Sequence, residues 1–224
     1  MNLSTAVIYF ARSAGEEVKH KVFCSSNSKL NSAIAQQLYN HSHTQLAQTG
    51  LPFFCYTEEN QQGSTFSEKL ANAFLEVLSK GYKAVIAIGS DSPGITSQHI
   101  SDAAEQLKIK NVVAGATKQG GCYLIGFQKQ AFDYVKFKQL SWQTCQLSQQ
   151  IIGTFNVVAL LPVLSEINKQ SHLLALARVT SKIKASILSL IVLINSYRTN
   201  CFFSFKLLTV PHPFLSSNIF GRAP

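Results

Sequence analysis

The chain has 224 residues, 46% of them hydrophobic, enough to bury one sizeable core with a short appended segment but not several domains of ordinary size. Its formal charge of +9 is unevenly placed: up to Asp133 there are 11 Lys and Arg against 10 Asp and Glu, and beyond it 9 against 1. The C-terminal bases are spaced apart and lack the interleaved aromatic and basic surface of a nucleic-acid binder, so a solvated face or contact with phosphate or a membrane surface is expected, and no nucleic-acid partner.

In chain order, residues from Ala6 to Ala11 read as a buried strand, and Leu30 to Gln48 as a helix with Leu30, Ile34, Leu38 and Leu46 near one face, ended by Gly50. Pro52 to Tyr56 is a second strand. Thr65 to Glu68 has the capping-box pattern, in which hydroxyl and carboxylate satisfy each other's orphan amides, so a helix runs through Leu70, Phe74 and Leu78 to Gly81. A strand from Ala84 to Ile88 follows, then a helix capped by Thr96 or Ser97 and reaching Leu107, then a strand from Asn111 to Ala114. Gln119, Gly120 and Gly121 form a tight turn before Cys122 to Phe127, serving a plain hairpin or a close backbone approach to a ligand. Ser141 or Thr144 caps a helix that includes Cys145 to Ile152, and Val157 to Leu161 is a further strand, ended by Pro162. Strands alternating with helices predict an α/β fold with a mostly parallel sheet covered on both faces, with function in the loops after strands.

Residues 1–170 are expected to form this domain and residues 171–224 an apolar and basic helical extension. Within the extension, Ala185 to Tyr197 is shorter than the roughly 20 apolar residues of a bilayer span, so no transmembrane segment is expected. It reads as a packing helix, with an interfacial helix flanked by Lys182, Lys184 and Arg198 as the alternative. From Cys201 onward the chain reads as an apolar extension lying on the domain or on a partner, one route to a homo-oligomer. The five cysteines, Cys24, Cys55, Cys122, Cys145 and Cys201, lack zinc-site spacing; Cys55 and Cys122 sit in apolar runs and read as buried thiols. The opening MNLSTAVIYFARSAG has no basic region followed by a long apolar core, which makes a reduced, cytoplasmic setting the expectation.

The segment most suited to chemistry is AVIAIGSDSPG, residues 84–94. An unpaired carboxylate is not tolerated inside a buried strand, so Asp91 belongs just past the strand's carboxyl end, where open α/β sheets bind ligands. A carboxylate there suits a hard divalent cation bridging phosphates; equally, it suits an Asx turn or helix cap. Arg12, Lys19 and Lys21 follow the first strand, where a cationic loop would grip a diphosphate, and Glu166 again lies just beyond a strand end. His20, between the two lysines, reads as a solvated histidine rather than a base. No GxxxxGK[ST] phosphate loop, GxGxxG fingerprint or GxSxG elbow occurs.

The series FAR…VKHK, QQGSTFSEKLANAF, AVIAIGSDSPGIT, AGATKQGGCYLIGF and SWQT resembles, in order and spacing over residues 5–165, the DUF2064 family of glycosyltransferase-A-like proteins. The resemblance implies a Rossmann-like three-layer α/β/α sandwich of the nucleotide-diphospho-sugar transferase type, binding a nucleotide or nucleotide-sugar with magnesium or manganese. It implies Asp91 as the metal and phosphate contact, with Gly89 and Ser90 beside it, and a basic loop of Arg12, Lys19 and Lys21. It also matches Gln62, Gly63 and Lys69 before the second predicted helix, and Gly120 and Gly121 in the late turn. The chain departs from the family at Gln119, where an acid is usual, at Ser13 to Glu17, where a Gly-Pro-rich loop is usual, and at Glu166, Ile167 and Asn168, where related transferases carry Asp-x-Asp. Two functions are expected. One is a metal-assisted glycosyl or nucleotidyl transferase in which Asp91 and Glu166 hold the cation and no general base is assignable. The alternative is a catalytically degenerate nucleotide or phosphate binder of the same fold, which Gln119 and Asn168 favour. A membrane-surface or nucleic-acid adaptor working through the basic C-terminal part is a weaker third.

Overall fold

The computed structural model describes residues 4–24, 27–155 and 158–177. The run from Ala185 to Tyr197, its flanking bases and everything from Cys201 onward lie outside the described residues.

Strand β1 (Thr5–Phe10) is buried along its whole length, as its run of β-branched, aromatic and alanine side chains requires of a central parallel strand. It is flanked in parallel by β2 (Phe53–Tyr56) and β3 (Ala84–Ile88), with Val7 opposite both Phe53 and Ile86. β4 (Val112–Ala116) and β5 (Cys122–Gln128) form the hairpin expected from Gly120 and Gly121, and β6 (Val158–Leu160) closes the edge beside β4. The six strands stand in the order β2-β1-β3-β5-β4-β6, so β5, antiparallel to both neighbours, is wedged into an otherwise parallel sheet.

Helix α2 (Ser28–Ala47) is capped by Asn27, whose side chain accepts from the Leu30 N–H. In α3 (Phe66–Ser79), Thr65 accepts from the Glu68 N–H as the sequence predicts, while the Glu68 carboxylate reaches the Ser64 N–H. α4 (Ser97–Gln106) is capped by Thr96, and here His99 supplies the reciprocal bond of a capping box. Helices α5 (Tyr134–Gln139) and α6 (Leu147–Thr154) follow β5, and α7 (Gln170–Ala177) follows β6. The residue at the start of α6 is Gln146, not Ser141 or Thr144: Thr144 instead donates to the Ser141 carbonyl within the preceding turn.

Apolar side chains on the two faces of the sheet bury separate cores. One, under α3, α5 and α6, is built around Phe74, packed against the rings of Phe127, Phe132 and Phe137 at centroid distances of 5.8, 5.1 and 5.3 Å. The other lies under α4 around Ile86, Ile88, Ile95 and Ile100. A third cluster joins Phe23, α2 and α7 through Ile34, Ile167 and Leu173. Because Phe74 is fully buried, Phe74→Ala is expected to lower unfolding free energy by about 3–5 kcal/mol, read as a fall in urea midpoint at unchanged slope.

Candidate functional site

Parallel pairing of β1 with β3 sets Tyr9 opposite Ile88, so Ala11 and Arg12 leave the sheet beside Gly89, Ser90 and Asp91. β5 runs the other way and therefore begins at this edge, bringing Gly121 and Cys122 alongside. A cavity of about 440 Å³ opens here, at the carboxyl edge of the parallel strands.

One end of the cavity is charged. The chain leaving β1 forms α1 (Ala14–His20), a single short helix that the sequence reading had left as a loop. Ser13 caps it by accepting from the Glu16 N–H, and Ser13 in turn bonds the Glu58 carboxylate. One turn apart on α1, Glu17 and Lys21 meet at 2.7 Å. Arg12 Nη1 lies 3.1 Å from the other Glu17 oxygen, and Lys21 Nζ lies 2.6 Å from Asp91 Oδ1. The result is a chain of alternating charge, Arg12–Glu17–Lys21–Asp91, joining the first helix to the loop after β3. Burial alone would raise the Glu17 pKa, but the Lys21 and Arg12 charges overcome it and hold the carboxyl below its ordinary range. Lys21 shows the mirror case: burial would lower its pKa, and the charges of Asp91 and Glu17 outweigh it.

Glu166 reaches the same place from the segment after β6. The Ile167 N–H donates to the Asp91 carbonyl at 2.8 Å, tying the two segments together. Gln119 brackets the Glu166 backbone: its amide donates to the Glu166 carbonyl at 3.4 Å and its Oε1 accepts from the Glu166 N–H at 3.3 Å. A Cβ on Gly121 would stand 3.1 Å from both Glu166 Oε2 and Thr117 Oγ1, so the glycine makes room for the carboxylate. Burial, and then the Asp91 charge, push the Glu166 pKa up against the opposing pull of Lys21, Thr117 and Asn168.

The other end is apolar and aromatic, lined by Phe10, Phe66, Leu70, Trp142 and Leu147. The indole N–H of Trp142 donates to the Phe137 carbonyl at 2.8 Å, and its ring tilts against Phe66 at 5.6 Å. Gln143, next in the chain and also on the cavity wall, has a φ of 62°, a left-handed conformation costly for a residue with a side chain and characteristic of ligand sites. Gln61 joins it at the rim, its amide donating to the Tyr56 carbonyl.

Of the residues selected from sequence, Arg12, Lys21, Gly89, Ser90, Asp91, Gly121 and Glu166 line the cavity. Lys19 does not: it lies on the outer side of α1, 2.6 Å from Glu16, as does His20 at 3.2 Å from the same carboxylate. Gln62, Gly63 and Lys69 are not on the wall either. The Gln62 carbonyl accepts from Asn72, and Gly63, at φ 134°, supports the turn into α3. Gly120, at φ 86°, sits against the Cys145 carbonyl, where a side chain would collide. Cys55 is exposed on the edge strand β2, contrary to the expected buried thiol, whereas burial pushes the partly buried Cys122 thiol up to about 12. Sequence reading missed Glu17, Gln61, Phe66, Trp142 and Gln143. The spacing of Glu17 four residues before Lys21, and the presence of a single Trp, were the available signals.

The fold and the resemblance imply a divalent cation, for which Asp91 and Glu166 are the candidate donors. The Asp91 carboxylate already carries the Lys21 ammonium, and among the described residues no three His, Cys, Asp or Glu side chains converge on one point. These residues do not form a ready cation site.

Residues 25–144, over half of the chain, match the family described as "Uncharacterized protein conserved in bacteria", DUF2064. The chain belongs to that family. No curated protein matches it. Among solved structures, a proposed nucleotide-diphospho-sugar transferase from Desulfovibrio desulfuricans G20 is similar with a TM-score of 0.75 and 19% identity, over 87% of this chain and 95% of the other. That likeness establishes the nucleotide-diphospho-sugar transferase fold for this DUF2064 member. Looser similarity, at a TM-score of 0.49 and 11% identity over 84% of this chain and 98% of the other, links it to the Rv0371c homologue of Mycobacterium sp. strain JC1. A 4-diphosphocytidyl-2C-methyl-D-erythritol synthase from Anaerococcus prevotii DSM 20548 matches at 0.47 and 10% identity, over 88% and 99% of the two chains.

Removing the middle carboxylate of the charge chain leaves two cations without it. Glu17→Gln is expected to cost about 3 kcal/mol at neutral pH. Because the native Glu17 pKa is lowered, wild type loses this advantage as pH falls below the ordinary glutamate value and through the native one. The two unfolding curves should therefore converge in acid.

Proposed function

We propose that this protein binds a nucleotide or nucleotide-sugar in the cavity and transfers a glycosyl or nucleotidyl group to a small acceptor. The observation that carries this reading is the cavity's two-ended character, with Arg12 and Lys21 at one end and Phe66 and Trp142 at the other, at the carboxyl edge of a nucleotide-diphospho-sugar transferase fold. A ligand combining a flat apolar body with a diphosphate matches both ends.

In this reading Arg12 and Lys21 grip the phosphates, and their carboxylate partners hold the two long side chains extended toward the cavity before the ligand arrives, which reduces the entropy lost on binding. Glu166, the cavity carboxylate that makes no ion pair among the described residues, has a raised pKa and is suited to take a proton from the attacking acceptor. The second reading, a binder without turnover, is favoured by Gln119: where related chains carry an acid, this one uses an amide to hold backbone.

The single tryptophan, Trp142, provides the assay because it lies on the cavity wall. Nucleoside diphosphates and nucleotide-sugars should change its fluorescence saturably, and Arg12→Ala should weaken binding about tenfold, the loss of one charged hydrogen bond. A panel of such ligands that leaves the fluorescence unmoved removes the reading. Release of pyrophosphate or nucleoside diphosphate then separates enzyme from binder: Glu166→Gln should keep binding while turnover falls by about 10²–10⁴, and bound ligand never turned over selects the second reading.

A further inference from the structure

We infer that Lys21 is the built-in counter-cation of this cavity: its ammonium holds the place beside Asp91 that a divalent ion would take, so that phosphate is received without a bound metal. Lys21 Nζ lies 2.6 Å from Asp91 Oδ1 and 2.7 Å from Glu17 Oε1, with only 16% of its side chain exposed. A metal ion coordinating the same Asp91 oxygen would stand within the ammonium's own contact distance, and two cations that close repel strongly in a partly dry site. The lysine is also held from behind. Its backbone N–H closes α1 on the Glu17 carbonyl, and Glu17 is fixed in turn by Arg12, so the ammonium is presented to Asp91 by the helix rather than by a free arm.

The chemistry left over suits an anion. An ammonium has three N–H donors, and Glu17 and Asp91 account for two, leaving a third for a ligand oxygen on the cavity side. The remaining carboxylate, Glu166, comes no closer to completing a cation site, since among the described residues no third His, Cys, Asp or Glu donor converges with it. That the anion is a diphosphate rests on the function proposed above; that Lys21 excludes a divalent ion does not.

Manganese titrated into the ligand-free full chain, followed by loss of the free-ion EPR signal, tests the exclusion. Wild type and Asp91→Asn should give the same isotherm. Lys21→Met should gain affinity by more than about tenfold, as removal of a unit charge a few ångströms away implies, and the double variant with Asp91→Asn should lose that gain. Asp91-dependent manganese binding by wild type overturns the inference, as does a folded Lys21→Met protein that gains nothing; Lys21→Gln replaces it if the methionine variant does not fold. Inorganic pyrophosphate, titrated first in EDTA and then with magnesium, tests the phosphate role. Binding in EDTA that Lys21→Met abolishes supports the inference, and binding seen only with magnesium overturns it. Pyrophosphate that binds under neither condition overturns the ligand assignment and with it the proposed function, while the manganese isotherms still decide whether Lys21 excludes the ion.

Discussion

The parallel ladder between β1 and β3 is the constraint on which the rest depends. It fixes Tyr9 opposite Ile88, and with that register Arg12 and Asp91 leave the sheet at the same level. Everything at the charged end then follows from short distances along the chain. A seven-residue helix after β1 is enough to carry Glu17 and Lys21 across to the loop after β3, and the ion pairs close. Shifting one strand by a single residue would turn its side chains to the opposite face and undo both cores, so the hydrophobic packing that sets the register also sets the site.

Inserting β5 antiparallel between β3 and β4 has a second consequence. An all-parallel sheet would present only strand ends at this edge, whereas the start of β5 brings a glycine turn to it. Gly121 then leaves space for the Glu166 carboxylate, while Thr117 and Gln119 in the same turn hold the segment that carries it. The hairpin is therefore both the plain connection that its glycines suggest and part of the cavity wall. The two roles compete in the sequence reading but not in the structure, because close backbone approach is what a tight turn provides.

The electrostatics are those of a partly buried relay rather than of an open basic patch. Each of Glu17 and Lys21 would be driven toward its neutral form by burial, and each is kept charged by its neighbours. Glu166, flanked by Asp91 and without a cation of its own among the described ion pairs, goes the other way. Groups of the same chemical type are thus set to different protonation tendencies within one cavity, a pattern typical of sites that handle protons and charge. The aromatic end adds the complementary requirement, a surface that rewards a flat apolar group.

Sequence by itself determined the alternation of strands and helices, the burial of the strands, the caps Thr65 and Thr96 and the place of Asp91 past the end of β3, because these rest on local periodicity and on the rule that a charge does not sit inside a buried strand. The motif resemblance added the family and its fold. Tertiary structure alone decided which cations face the cavity. Lys19 and Lys21 are two residues apart, a spacing that places them on different sides of a helix, and only the folding of that stretch as α1 sends one to Glu16 outside and the other to Asp91 within. Only the packing of α3 against the segment after α5 brought Phe66 to Trp142 across more than seventy residues of sequence. Whether Asp91 would meet a metal ion or an ammonium was likewise beyond local reading, since a carboxylate's partner is set by whichever cation the fold delivers to it.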